Sequence, residues 1–470
     1  MPPLLFVSLV PLFYALDGRR RFLHGLIFGA TFFALDQRWV LTVFRFSPLV
    51  VPGFLLLILY LGLFFALPAC FLQRESNRPF GASLLLAAPA LFTLFEFARA
   101  QGPLGTGFSG LYHAFYKVPW LIQSAALSGP WTITALVILV NAALYLALRR
   151  KRAGYAVVAI AGVALLAAPA LLRIAPDDGP ALRAAVVSSN VNQEYKLDAR
   201  NLKALTDRYE ALGRKALSED PDLVVFPESI LPSFILDNED AFRRLARLAV
   251  DGEMRVLFGT GVYERPEIRN EIVLLSIEGE ILGAYAMVRP VPFGEYIPGR
   301  RIWESIGLKG LMDSFLPVDL TAGEAFAPLD GIGTPICFES MFPGPARGFV
   351  RDGATILAVV TNDAWFIGSS ELNAHFSAAI FRAVESRRYV LQSANGGVSG
   401  IVDPRGRIVT STTSEDVIVT QIRERRGLTL YARVGDAPLM ILLALCAVVY
   451  AAIEVRRKRE VRAVETRNGG

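Results

Sequence analysis

Three predicted strand ends carry carboxylate or thiol groups. Cys337 follows a short apolar run in Thr334-Pro335-Ile336-Cys337-Phe338-Glu339-Ser340. The other two cysteines, Cys70 and Cys446, sit inside long apolar segments, so Cys337 has no disulfide partner in the polar part of the chain. Such a thiol is a packed small hydrophobe, a reactive thiolate or a lone ligand. Its reference pKa of about 8.5 means that a nucleophilic role needs a base or a positive charge nearby. Glu228 closes the run Asp222-Leu223-Val224-Val225-Phe226-Pro227. A carboxylate held by a buried strand is partly desolvated, which raises its pKa and suits a general base; a solvated turn glutamate is the bland alternative. Glu295, in Val291-Pro292-Phe293-Gly294-Glu295-Tyr296, reads as a loop-holding hydrogen bonder, and Glu339 stands two residues beyond Cys337. His375 allows a Cys–His pair, with a helix-face residue the favoured reading. Three histidines, no CxxC and no HExxH leave little for a metal, and no cofactor is expected.

These residues need an α/β scaffold, and the chain offers one from Ala181 onward. Strands are predicted at 182–187, 223–226, 255–261, 271–276, 280–286, 331–337, 354–361, 389–394 and 398–402, with helices at 198–217, 239–250 and 371–388. Residues 277–279 read as a hairpin turn, and 394–397 as a turn signal. Gly259-Thr260-Gly261 is a lone GxG without the rest of a dinucleotide fingerprint.

The rest of the chain is of another kind. Of 470 residues, 53% are hydrophobic, the net charge is +5 and the mean hydropathy is +0.42. Basic residues cluster beside apolar runs, with no basic stripe or nucleic-acid motif. Spans are expected near 2–16, 22–44, 50–72, 80–98, 129–148 and 154–173, with a closing span at 433–455 and a basic tail at 456–470. The first run begins without a basic flank and reads as a retained span. Arg19-Arg20-Arg21, Arg74 with Arg78, Arg149-Arg150-Lys151-Arg152 and Arg456-Arg457-Lys458-Arg459 fall on one side by parity, which the positive-inside rule makes cytoplasmic. Region 175–432 is then extracytoplasmic. Glu96 and Arg99 are expected to pair on one helix face, and the Gly- and aromatic-rich stretch from Gly105 to Trp120 to lie at headgroup level.

Phe226-Pro227-Glu228-Ser229, Val291-Pro292-Phe293-Gly294-Glu295, Ile336-Cys337-Phe338-Glu339 and Thr361-Asn362-Asp363-Ala364-Trp365-Phe366, in this order, resemble the apolipoprotein N-acyltransferases, membrane members of the nitrilase superfamily. The resemblance covers nearly the whole chain. It implies a multi-pass helical membrane domain at 1–174 and a nitrilase-like α-β-β-α sandwich at 175–432. It implies a Glu–Lys–Cys triad with Glu228 as base and Cys337 as nucleophile, supported by Glu295 and Glu339, with Trp365 and Phe366 near a lipid entrance. The implied reaction moves an acyl chain from a phospholipid, through a thioester, to the N-terminal amine of a diacylglyceryl-cysteine lipoprotein. A monomer in the bacterial inner membrane is expected, with its catalytic domain in the periplasm. Family members often carry one further span upstream.

One position departs from the family pattern. The family's lysine lies five residues before the proline of the Pro-Phe-Gly-Glu motif, and here that position is Met287. Weakened acyl transfer is therefore expected; a lipid-binding relative without turnover and a membrane-tethered amidase are the alternatives. Arg289, about 6–7 Å further along an extended strand, and Lys309 are the replacement cations considered.

Overall fold

The computed structural model describes residues 2–73, 80–172 and 179–468. Arg74, Arg78 and the expected domain boundary at 174–175 lie outside the described residues. Among the described residues, five helices are long and apolar enough to cross a membrane: Arg21–Arg45, Val50–Phe71, Trp131–Arg150, Ala153–Leu171 and Ala437–Glu460. Two expected spans are shorter than a crossing needs. The first run breaks into a 3-10 turn, Pro2–Phe6, and a seven-residue helix, Val10–Leu16. The fourth is the 16-residue helix Leu84–Arg99, about 24 Å long at 1.5 Å per residue. The closing helix Ala437–Asn468 continues without a break from the expected span into the basic tail. Helices Arg21–Asp36 and Val50–Phe71 meet at Gly29 and Gly62, where a Cβ on Gly29 would lie 2.9 Å from the Gly62 carbonyl oxygen. Small residues let helix backbones approach where no water drives association.

The bundle has two distinct ends. Asp17 accepts from Tyr145 and from the Phe80 amide and pairs with Arg149 at 3.4 Å, while Arg150 caps the Phe80 carbonyl. Arg19–Arg21, Arg149–Arg152 and the start of the basic tail thus share one end. The α/β domain sits on the other. The stretch expected at headgroup level is instead the seam between the two halves. Phe108, Leu111, Tyr112 and Phe115 are buried there, and His113 bonds Ser377 at 2.8 Å. Glu96 and Arg99 both serve this seam. Glu96 accepts from the Leu111 amide at 2.8 Å and Arg99 donates to the Phe108 carbonyl at 2.7 Å.

Among the described residues, eleven strands form two sheets: β1 Ala181–Ser188, β2 Leu223–Val225, β3 Arg255–Glu264, β4 Glu267–Leu275, β5 Ile281–Ala286, β6 Ile332–Gly333, β7 Ile356–Asn362, β8 Val390–Asn395, β9 Ser399–Val402, β10 Ile408–Thr412 and β11 Asp416–Arg423. The first sheet runs β11-β1-β2-β3-β4-β5 and the second β10-β9-β8-β7-β6. Strands β1–β3 are mutually parallel, as are β6–β8. Side chains alternate along β1: Ala184 and Val186 enter the core between the sheets, and Ala185 and Val187 pack under helices Leu202–Leu217 and Glu239–Asp251. Helices Pro343–Arg351 and Glu371–Ser386 cover the second sheet, which makes the four-layer sandwich.

The expected strand at 331–337 pairs only at Ile332–Gly333, then touches β7 again at one bridge, Ile336–Val360, before the chain turns at Cys337. Strands β10 and β11 have no counterpart among the expected strands. Both are half-exposed and mix polar with apolar residues, so no clean alternation marks them. The 277–279 turn is the β4–β5 hairpin, closed by Ser276 and Glu280, with Gly279 at φ +78°.

Candidate active site

The chemistry-bearing residues follow the carboxyl ends of the parallel strands, where open α/β sheets present ligand sites. Glu228 follows β2, Cys337 follows β6, Asp363 follows β7, Asn395 ends β8, and Lys196 lies in the short helix Gln193–Leu197 after β1.

Cys337 adopts φ +47°, a left-handed conformation that costs a non-glycine residue about 1–2 kcal/mol. The turn holds the thiol at the strand end, with the residue partly buried. Glu339 locks the turn. Its Oε2 accepts from the Ile336 amide, and its Oε1 accepts from the amides of Val288 and Arg289. The Tyr285 hydroxyl reaches both oxygens at 2.9 Å. Glu339 therefore ties the Cys337 turn to the strand-end loop that carries Met287. From the other side, His375 places Nε2 at 2.9 Å from both the Cys337 carbonyl and Ser340, and Nδ1 at 2.8 Å from Asp363. His375 is 1% exposed, so it is a helix-face residue turned inward, where it braces the turn. The Cys337, Asp363 and His375 ligand atoms lie within 4.8 Å of one another. Both ring nitrogens are already engaged, and a metal would have to displace those bonds.

Glu228 is 6% exposed. Its Oε1 accepts from Asn270 Nδ2 at 2.6 Å, and its Oε2 has no partner among the described residues. Gly259 of β3 makes the placement possible: a Cβ there would stand 2.6 Å from the Glu228 Cα. The Gly259-Thr260-Gly261 stretch is thus a packing feature. Asn270 Nδ2 also lies 3.4 Å from Glu295 and 3.9 Å from the Met287 sulfur. Glu295 further accepts from the Val291 amide at 2.7 Å.

Met287 is 1% exposed and lies against a nitrogen that two carboxylates share. Burial, then the Glu228 charge, pushes Glu295 up to about 8. Burial also raises Glu228, against the Asn270 bond and the Lys196 charge. Glu339 is pushed to about 7 by burial. Burial raises the Cys337 thiol well above its ordinary value, and Glu228, Asp363 and Glu295 add to it. In the resting site the thiol is protonated and Glu295 holds a proton at neutral pH.

Neither expected replacement reaches this cluster. Arg289 turns its guanidinium away, 3.4 Å over the Phe342 ring and bonded to the Ala100 carbonyl at 2.8 Å. Lys309 is exposed at the start of helix Lys309–Phe315. Trp365 and Phe366 pack on the end of the membrane segment Arg21–Arg45 and the residue after it: Phe366 on Trp39 and Trp365 on Phe46, with ring centroids 4.9 Å apart in each pair.

Residues 1–143 match the family model described as the apolipoprotein N-acyltransferase N-terminal domain, and residues 183–429 match that of the carbon-nitrogen hydrolases. An apolipoprotein N-acyltransferase of Geobacter metallireducens is 33% identical over 97% of this chain and 92% of its own length. The chain belongs to the apolipoprotein N-acyltransferase family. One from Thermotoga maritima is 28% identical over 97% of this chain and 91% of its own. An amidase of known structure from Nesterenkonia sp. covers 55% of this chain and 94% of its own, at 18% identity and a TM-score of 0.40. With its five long apolar helices, the chain is a bacterial membrane protein of the nitrilase-superfamily acyltransferase type.

Sequence reasoning missed Lys196 and Asn270 as parts of this cluster, and quoted Asp363 in a motif without giving it a role. Lys196 carries no local signal, since a lysine in a turn reads as solvated until the fold buries it. Asn270 faces the site only through the β3–β4 register, which pairs it with Gly261.

Proposed function

We propose that this protein N-acylates lipoproteins with a chain taken from a phospholipid, and that Cys337 carries the chain as a thioester. The thiol gives its proton to Glu228 Oε2 while the sulfur attacks the sn-1 ester carbonyl. The tetrahedral intermediate collapses, the C–O bond breaks, and Glu228 returns the proton to the departing lysophospholipid alkoxide. The α-amine of a diacylglyceryl-cysteine then attacks the thioester and loses its proton to Glu228, the C–S bond breaks, and Glu228 returns the proton to the departing sulfur. This is ping-pong covalent catalysis. Glu295 and Glu339 support the pair by holding the loop and the turn. The observation that carries the reading is the unpartnered, buried Oε2 of Glu228 at the same sheet edge as the strained Cys337 turn.

Phe338, beside the thiol, stacks toward Phe108, which packs on Trp39, which packs on Phe366. This aromatic series joins the site to the membrane helices and suits an acyl chain. We place the catalytic domain on the periplasmic face of the inner membrane, because the basic clusters gather at the opposite end of the bundle. The working unit is a monomer.

Met287 makes the reaction slow. Loss of one preorganised oxyanion donor typically costs about 10²–10³ in rate. Acylation of a diacylglyceryl-peptide by phospholipid vesicles tests this: Met287→Lys is expected to raise the rate at least about tenfold. Equal, robust rates in both forms would remove position 287 from the account, and absence of transfer in both would favour a lipid-binding relative.

A further inference from the structure

The described cluster around Cys337 and Glu228 is rich in carboxylates and poor in positive charge. Glu228, Glu295, Glu339 and Asp363 all face it. His375 is charged at neutral pH; burial opposes that, but Asp363 and Glu371 outweigh burial and lift it to about 9. Its charge is met by Asp363 at 2.8 Å, while burial and the Asp363 charge push the neighbouring Glu371 carboxyl well above its ordinary value. Arg289 faces away. Among the described residues one further cation, Lys196, lies at this cluster.

Lys196 is 3% exposed, and its Nζ donates to the Glu228 backbone carbonyl at 3.2 Å. Among the described residues no carboxylate forms an ion pair with it within 4.0 Å. Burying an ammonium without a carboxylate partner is costly, and proteins rarely keep one without a use. Its position is built rather than incidental. Asn192 caps the short helix by accepting from the Glu194 amide, and its carbonyl accepts from the Lys196 amide. The next residue, Gln193, accepts from Asn362 at 3.0 Å, and Asn362 accepts from Asn395 at 2.8 Å. Asn395 also bonds Ser189 and both backbone groups of Val191. A buried amide ladder across the ends of β7 and β8 therefore fixes the turn that delivers Lys196.

We propose that Lys196 supplies this site's positive charge from the β1 side, holding Glu228 ionised as the base and stabilising the Cys337 thiolate, where the lysine absent at 287 leaves the β5 side bare. The proposal rests on Cys337 and Glu228 being the reacting pair. Two further observations agree with it. Lys196 is the cation that lowers Glu228 against the rise that burial imposes. Burial lowers Lys196 itself only to about 8, with Glu228 and Cys337 holding it up, so it stays largely charged at neutral pH.

The test is the pH profile of iodoacetamide alkylation at Cys337, read by mass spectrometry of its peptide in detergent. It compares the native chain, Lys196→Gln, Lys196→Arg and Lys196→Gln with Met287→Lys. Glutamine keeps a donor for the Glu228 carbonyl but not the charge; arginine keeps the charge. Lys196→Gln is expected to slow alkylation at neutral pH about tenfold and to move the profile up by about one pKa unit. Lys196→Arg keeps the native profile, and adding Met287→Lys to Lys196→Gln restores it. An unchanged profile in folded Lys196→Gln, or an arginine variant that behaves like glutamine, overturns the proposal. Melting in detergent checks folding; should Lys196→Gln not fold, Lys196→Met with Met287→Lys, set against Lys196→Arg, makes the same comparison. Thioester formation from phospholipid separates the two readings. A shifted profile with no thioester in the native chain keeps Lys196 and removes acyl transfer, and a thioester with an unshifted profile does the reverse.

Discussion

At the residue scale, the site is defined by charges that burial forces to compete. Glu295 and Glu339 sit at about 8 and about 7 because desolvation disfavours their ionised forms. In the unfolded chain both would ionise near the reference value of about 4.3. The native state therefore holds more protons between those values, and stability falls as pH rises through them. The melting midpoint in detergent is expected to drop between about pH 5 and pH 8, and Met287→Lys to flatten that drop by giving both carboxylates a counter-charge. A native midpoint that rises over this interval would contradict the assignment. Glu228, Cys337, Glu295 and Glu339 were legible in the sequence through the ordered motifs that carry the family resemblance, since a strand end or a Pro- and Gly-rich turn alone favours the bland reading. Lys196 was not. Its burial comes from helix Gln193–Leu197 folding back over the end of β2, a long-range event with no local pattern.

At the element scale, helix Glu371–Ser386 does more than cover the second sheet. Its Arg382 is fully buried, donates to the Ser340 carbonyl at 3.2 Å and pairs with Glu385 at 2.7 Å. With His375 it braces the turn that displays Cys337 from one helix face. Arg382→Met leaves Glu385 buried without its partner and is expected to cost about 3–5 kcal/mol. Replacing both residues by apolar ones is expected to recover most of that loss, because a buried ion pair repays little beyond its own desolvation. Chemical denaturation of the two variants checks this; a double variant as unstable as the single one would assign the arginine a role beyond the pair. The helix was predicted at 371–388 and ends at Ser386, with Arg387 at φ +54°. Strands β10 and β11 escaped prediction for the reason given by their exposure. As β11 pairs eight residues with β1, the first sheet's edge was invisible although its centre was plain.

At the scale of the whole molecule, the membrane bundle and the sandwich form one working object. Arg45 donates to the carbonyls of Ala364 and Trp365, and the Arg45–Glu194 pair links the same membrane segment to the helix that carries Lys196. Charge parity made the two ends of the bundle legible, but not the buried seam at 105–116, whose aromatic residues read equally as interfacial until the domain above them is placed. Beside the site, helices Arg300–Ser305 and Lys309–Phe315 leave Ile302, Ile306 and Leu311 exposed, a surface of the kind that marks contact with a lipid or partner. Ile302→Asp with Ile306→Asp is expected to slow acyl transfer from vesicles severalfold while leaving iodoacetamide alkylation of Cys337 unchanged; loss of both would show a folding defect instead. The central claim, that Cys337 takes a phospholipid acyl chain, is tested most directly by the time course of acyl-thioester on the intact protein. With phospholipid and no acceptor, mass spectrometry is expected to show one acyl adduct on Cys337, slow in the native chain, at least about tenfold faster in Met287→Lys, and discharged by a diacylglyceryl-peptide. No adduct on Cys337 in either form, or acyl transfer that persists in Cys337→Ala, would contradict it.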